Sequence, residues 1–163
     1  MEFVINGHTY KTLELLGHGK GGYSYLAIGP NGKVVLKKIH HEPCDYYSFG
    51  NKIEAELNDY NRLINANIRI PLMIEFDKEQ EIIIKEYIKG DNVLDLIKNG
   101  EDVSPYISQV REMANLAKEA GLNIDYYPTN FIPYNGKLYY VDYECNEYSE
   151  DWNLENWGMK YWK

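Results

Sequence analysis

Short apolar runs separated by turn dipeptides fill the first ninety residues, and that pattern most narrows the folds open to this chain. Phe3-Val4-Ile5 meets Asn6-Gly7, and Pro30-Asn31-Gly32 separates the runs at 23–28 and 33–39. Asn-Gly supplies the positive φ that a tight hairpin needs, so these runs read as antiparallel strands. Residues 10–16 read as another strand. Residues 71–76 and 81–88 form a further pair around Asp77-Lys78-Glu79-Gln80. Residues 47–64 lose the two-residue period and read as a helix, with Ile53, Leu57, Tyr60 and Ile64 on one face. The expectation is a sheet of about five antiparallel strands with one helix.

The texture changes near Gly90. Residues 91–98 read as a short helix. Ser104-Pro105 reads as the start of a longer one, with a hydroxyl N-cap and proline at the first helical position. That helix runs to Ala120 and stops at Gly121. Strand-like pieces at 130–134 and 137–142 flank Asn135-Gly136. The expected class is α+β, with a β-rich part at 1–89 and a mostly helical part at 90–163.

Hydrophobic residues make up 44% of the 163, enough for a packed core. The 16 tyrosines suit half-buried positions with the hydroxyl wet. A net charge of −8 would repel a phosphate backbone, so no nucleic-acid partner is expected. Cys44 and Cys145 form no CxxC pair, and His8, His18, His40 and His41 follow no ligand spacing, so zinc is not expected. Met1 opens directly into a strand-like segment, and neither a signal peptide nor a membrane helix is read. A cytoplasmic protein with reduced thiols is the expectation.

Three motifs carry chemistry. Gly17-His18-Gly19-Lys20-Gly21-Gly22 matches GxGxxG, a pattern that dinucleotide-binding folds follow with a helix. Here a strand hairpin follows, which favours a glycine-rich loop folded over phosphates; no Lys-Ser/Thr follows Gly22, so it is not a Walker A loop. Val34-Val35-Leu36-Lys37 places a lysine on an apolar strand, where an opposite charge must meet it. Lys38 offers the other face. Glu54 and Glu56 on the next helix are the candidate partners. Glu56 is preferred, because Tyr60 and Leu63 follow it at helical spacing. The most specific motif is Asn123-Ile124-Asp125-Tyr126-Tyr127-Pro128-Thr129-Asn130, followed after a hairpin by Tyr140-Val141-Asp142-Tyr143-Glu144.

In this order the motifs resemble the protein-kinase-like superfamily from about residue 10 to residue 150. The resemblance implies a two-lobed fold and an ATP- and Mg²⁺-dependent transfer of phosphate to a hydroxyl acceptor. It implies Gly17, Gly19 and Gly22 over the phosphates, and Lys37 on the α- and β-phosphates paired with Glu56. Residues 85–90 look like the family's hinge, with the backbone of Glu86 and Ile88 on adenine. Asp125 looks like the catalytic base, and Asn130 and Asp142 like the Mg²⁺ ligands.

The chain departs from the pattern in four places. Asn123 replaces the usual histidine, Tyr127 replaces the expected lysine, and Glu144 replaces the D-F-G glycine. The chain also ends about twenty residues after Asp142. Lys20 is a candidate substitute for the missing lysine. The Asp142-Tyr143-Glu144 tract resembles the choline kinase and aminoglycoside phosphotransferase branch, and small divergent bacterial Ser/Thr kinases are also similar. The departures leave a second expectation, a pseudokinase acting as a nucleotide-responsive binding module. The tryptophan-rich end at 152–162 would then be a protein-docking patch or, more simply, a cap on a reduced second lobe.

Overall fold

The computed structural model describes residues 1–19, 21–42 and 51–163. It contains two compact units, one of Met1–Ala55 and Pro71–Tyr87, the other of Glu56–Ile70 and Ile88–Lys163. This is not a single cut at residue 89. The segment Glu56–Ile70 counts with the second unit through bonds such as the Tyr140 N–H to the Arg69 carbonyl, 2.9 Å, and Arg62 Nη2 to the Cys145 carbonyl, 3.3 Å.

The first unit is built on a curled antiparallel sheet. Its strands are β1 (Glu2–Ile5), β2 (His8–His18), β3 (Gly22–Gly29), β4 (Gly32–Ile39), β5 (Met73–Asp77) and β6 (Ile82–Glu86), in the order β1-β2-β3-β4-β6-β5. Six strands form where about five were expected, and each lies on one of the runs read from the sequence, with β1 as a paired edge that sets Phe3 opposite Tyr10. Asn6 and Gly7 take φ of 51° and 84°, the left-handed values that the turn demands. Ile5, Tyr10, Ala27, Val34, Leu36, Ile82 and Ile84 are buried as one core cluster.

Helix α1 (Lys52–Asn65) starts in this unit, where Asn51 Oδ1 accepts the Glu54 N–H at 3.1 Å as an N-cap. The expected helical residues 47–50 lie outside the described residues, as does Cys44. The buried apolar positions of α1 are Ile53 and Leu63, whereas Ile64, expected inside, is 36% exposed.

A carboxylate draws the sheet's two edges together. Glu75 on β5 accepts hydrogen bonds from Asn6 Nδ2 at 3.1 Å and from the Tyr10 hydroxyl, and it pairs with His8 Nδ1 at 3.0 Å. Burial alone would raise the Glu75 carboxyl. The hydrogen bonds from Tyr10, Asn6 and His8, with the His8 charge, outweigh it and hold the group below its ordinary 4.5. A depressed carboxylate stabilises the fold above its unfolded value, and that contribution disappears as pH falls through the folded value. Tyr10→Phe is therefore expected to cost roughly 1–2 kcal/mol at neutral pH. The gap in melting temperature between variant and wild type should narrow as pH is taken below 4.5. A gap that stays constant across that range would show that the hydroxyl does not act through Glu75.

The second unit contains α2 (Val93–Lys98), α3 (Ser104–Glu119) and two short antiparallel ladders. One ladder pairs β7 (Leu122–Ile124) with β10 (Cys145–Glu147), and the other pairs β8 (Phe131–Tyr134) with β9 (Lys137–Tyr140). Asn92 caps α2 by accepting the Asp95 N–H at 3.0 Å. Ser104 is not the cap of α3. It lies inside the helix, and its N–H and hydroxyl both bond Asp102 Oδ1, at 2.9 and 2.6 Å. Gly121, at φ 74°, follows the helix end.

Beyond β10 a π-helical turn (Leu154–Gly158) and a 3₁₀ turn (Met159–Tyr161) lead to Trp162, which is fully buried. Among the described residues, no helix is long and apolar enough to cross a membrane.

Candidate functional site

In the second unit, three of the singled-out side chains lie on two segments that the backbone ties together. Ile124 ends β7, and a 3₁₀ turn (Pro128–Asn130) leads into β8, so residues 125–130 form the loop between them. Asp125 Oδ1 accepts the Tyr127 N–H at 3.1 Å, which fixes the carboxylate in a tight turn. Asn130 Nδ2 donates to the Asp125 carbonyl at 3.3 Å, so its Oδ1 is the end left to meet a cation. The Asn130 carbonyl accepts the N–H of Val141 at 2.9 Å, one residue before Asp142. Asp125, Asn130 and Asp142 are each half-buried.

Tyr140 braces this arrangement from below. Its hydroxyl accepts the Asp125 N–H at 3.2 Å and donates to the Glu144 carbonyl at 2.7 Å. The bond to the Glu144 carbonyl needs a neutral phenol. Burial, then the charge of Asp142, pushes its ionisation well above the ordinary value.

The β7–β10 ladder holds the two sides of the loop in register, with Ile124 opposite Cys145. Burial pushes the Cys145 thiol up to about 12, so it is an inert core group.

A cleft of about 570 Å³ opens on Asp125. Its other lining groups include Asn123, Glu144, Glu147, Trp152 and Trp157. Asn123 is 5% exposed, and its Oδ1 is buried without a hydrogen-bond partner among the described residues. The cleft thus presents acceptor atoms and aromatic faces. Trp162 Nε1 donates to the Tyr126 carbonyl at 2.8 Å, which packs the chain's last turn against the loop. Tyr127, where a lysine was expected, lies edge-on to Tyr161 with ring centroids 5.1 Å apart.

In the first unit, β2 and β3 are joined by the glycine-rich turn. The Gly19 N–H bonds the Gly22 carbonyl at 3.0 Å, and the His40 N–H bonds the Gly21 carbonyl at 3.1 Å. A Cβ at Gly22 would sit 2.6 Å from the Lys38 carbonyl and 3.2 Å from Lys37 Cε, so packing requires this glycine and places Lys37 beside the turn. A Cβ at Gly17 or Gly19 would meet nothing, so packing does not account for those two.

Lys37 stands on β4 opposite Ser24 on one side and Ile83 on the other. Lys38 is already engaged, its ammonium donating to the Gln80 carbonyl. Glu54 pairs with Lys78 at 2.6 Å on the surface, whereas Glu56 is half-buried on α1. Glu86 ends β6, where its N–H bonds the Leu72 carbonyl at 2.8 Å. Ile88 is buried and belongs to the second unit, as does Glu56. Lys20 lies outside the described residues.

The β7–β10 pairing and the cleft beside Asp125 escaped the sequence reading. Three-residue strands more than twenty positions apart leave no periodicity, and the run of buried side chains at Leu122–Ile124 was the available signal.

No family model matches the chain. It is similar to a protein of Clostridium acetobutylicum named "Probable serine/threonine-protein kinase", 28% identical over 126 residues, covering 73% of this chain and 19% of the relative. It is also similar to pollen receptor-like kinase 3 of Arabidopsis thaliana, 28% identical over 83 residues, covering 50% of this chain and 12% of the relative. The chain therefore spans less than a fifth of the length of either.

Proposed function

We propose that this chain is a Mg²⁺- and ATP-dependent phosphotransferase acting on a hydroxyl acceptor. The observation that carries this reading is the loop in which Asp125, Asn130 and the residue before Asp142 are joined by hydrogen bonds. The similarity to two protein kinases supports it. The donor set also fits the cation. An amide oxygen and a carboxylate are hard ligands suited to Mg²⁺, which keeps several waters and shares its remaining positions with phosphates.

Bound Mg²⁺–ATP would supply the transferable phosphoryl group and neutralise its charge. Asn130 Oδ1 and the Asp142 carboxylate would hold the cation. The Asp125 carboxylate would orient the acceptor hydroxyl and take its proton, held for that work by the Tyr127 N–H. Lys37 would meet the α- and β-phosphates with Glu56 as its ion-pair partner. The open backbone at Gly17 and Gly19, with Gly22 closing the turn, would lie over the phosphates. The backbone of Glu86 and Ile88 would hold adenine.

The cleft on Asp125 is where the acceptor would enter. Its acceptor-rich lining of Asn123, Glu144 and Glu147, with two tryptophans, suits a small alcohol that also carries positive charge. The resemblance of the Asp142-Tyr143-Glu144 tract to the choline kinase and aminoglycoside phosphotransferase branch is the reason for choosing such an alcohol over a protein hydroxyl.

A second reading, a nucleotide-responsive binding module without transfer, draws on Tyr127. A packed aromatic ring occupies the place where a cation was expected to steady the transferring group. ADP formation from ATP, measured with pooled amino-alcohol acceptors, separates the two. The first reading expects turnover that requires Mg²⁺ and the Asp125 carboxylate. Binding of ATP with no acceptor-dependent ADP would favour the second.

A further inference from the structure

At the glycine-rich turn the sheet gathers side chains that lie far apart in sequence. His18 ends β2, while His40 and Glu42 follow β4. The His18 ring stacks on Tyr23 with centroids 4.2 Å apart and planes 14° apart, and His40 meets both rings edge-on at 5.2 and 5.3 Å. One donor atom from each of His18, His40 and Glu42 lies within 4.8 Å of the others, the one such trio of His, Cys, Asp or Glu among the described residues.

We propose that His18, His40 and Glu42 form a site for a divalent transition metal, with zinc the best match. Two imidazoles and a carboxylate select such ions over Mg²⁺ or Ca²⁺, which prefer oxygen throughout. One pair of ligand atoms already has the spacing of a shared ion, and the third lies within 4.8 Å of both. Ligands about 2.0–2.1 Å from a tetrahedral zinc sit roughly 3.3 Å from one another. His18 Nε2 and Glu42 Oε1 are 3.4 Å apart, too far for a good hydrogen bond and right for a shared ion.

The surroundings orient the ligands. His40 Nε2 lies 2.7 Å from the Gly19 carbonyl, and a carbonyl can only accept, so that nitrogen carries the proton. Nδ1 is then left with its lone pair, met among the described residues by the Glu42 N–H at 3.3 Å. A ligating histidine whose other nitrogen donates to a backbone carbonyl is the usual outer-shell arrangement. The Tyr23 hydroxyl donates to the second Glu42 oxygen and steadies the carboxylate in the same way. All three side chains can reach solvent, which leaves the fourth position to water.

A bound ion would link the end of β2 to the end of β4 and, through His40 and Gly19, brace the glycine-rich turn. This inference does not rest on the phosphotransfer reading, because that reading gives no role to His18, His40 or Glu42.

The test is titration of Zn²⁺ alone into the metal-stripped full chain, with millimolar Mg²⁺ present to occupy oxygen-only sites. One equivalent per chain is expected, with a rise in melting temperature. His18→Ala and Glu42→Gln should each weaken zinc binding at least tenfold and abolish the thermal shift. Both side chains are half exposed, so these variants should melt like wild type without zinc. His41→Ala should bind as wild type does, because His41 is paired with Glu81. Zinc binding that is absent from wild type, or undiminished in His18→Ala and Glu42→Gln, would overturn the proposal.

Discussion

Asp125→Asn is expected to lower turnover by about two to four orders of magnitude while leaving ATP binding within roughly twofold of wild type. The substitution is chosen for what it keeps. Asparagine retains an oxygen at Oδ1, so the bond from the Tyr127 N–H and the shape of the 125–130 loop survive. It removes only the charge and the capacity to take a proton. Asp125→Ala would also remove the turn, and its loss of activity could be read as local unfolding. The expected signature is a fall in kcat with ATP affinity unchanged, because the proposed reaction has Asp125 serve the acceptor and not the nucleotide. Equal turnover in wild type and Asp125→Asn would remove the catalytic role assigned to this carboxylate.

Trp162→Ala is expected to give the largest loss of stability of any single substitution considered, about 3–5 kcal/mol. The ring is fully buried and lies 5.1 Å from Phe131 in an edge-to-face pair. Its Nε1–H satisfies the Tyr126 carbonyl, which truncation would leave without that partner. The melting temperature should fall by roughly 10 °C or more. Because Tyr126 adjoins Asp125, activity should fall at temperatures where the chain is still folded. Trp162→Phe separates packing from the hydrogen bond: it keeps most of the buried area and should recover more than half of the loss. A Trp162→Ala chain that melts like wild type would show that the last turn does not hold the loop. Of the three tryptophans at this end, Trp162 is fully buried, Trp157 is half-buried and Trp152 is 59% exposed.

The parts of the fold that were legible in the sequence are those governed by local rules. Asn6-Gly7 and Asn135-Gly136 are turns because asparagine and glycine tolerate positive φ, and all four residues adopt it. The turn at Gly121 after the long helix is of the same local kind, with φ 74° just past the helix end. What escaped depends on pairing across long stretches of chain. Glu75 joining Asn6, His8 and Tyr10 cannot be inferred from any window around residue 75. The same holds for His18 and His40, whose separation fits no ligand spacing and which only the antiparallel sheet brings together. Ser104 was misread as a cap for a local reason. Asp102 takes both of its hydrogen bonds, and the helix starts one residue earlier in register than a hydroxyl cap would set it. The last turns, 3₁₀ and π in type, have no period to detect.

The most direct measurement is thermal unfolding with ATP, with and without Mg²⁺, for wild type and Asp142→Ala. Ligand at about 100 times its Kd should add about 2.7 kcal/mol, a rise of roughly 5–10 °C for a chain of this size. The account predicts a rise in wild type that requires Mg²⁺ and is much reduced in Asp142→Ala. No rise with Mg²⁺–ATP, or an equal rise in both proteins, would contradict it.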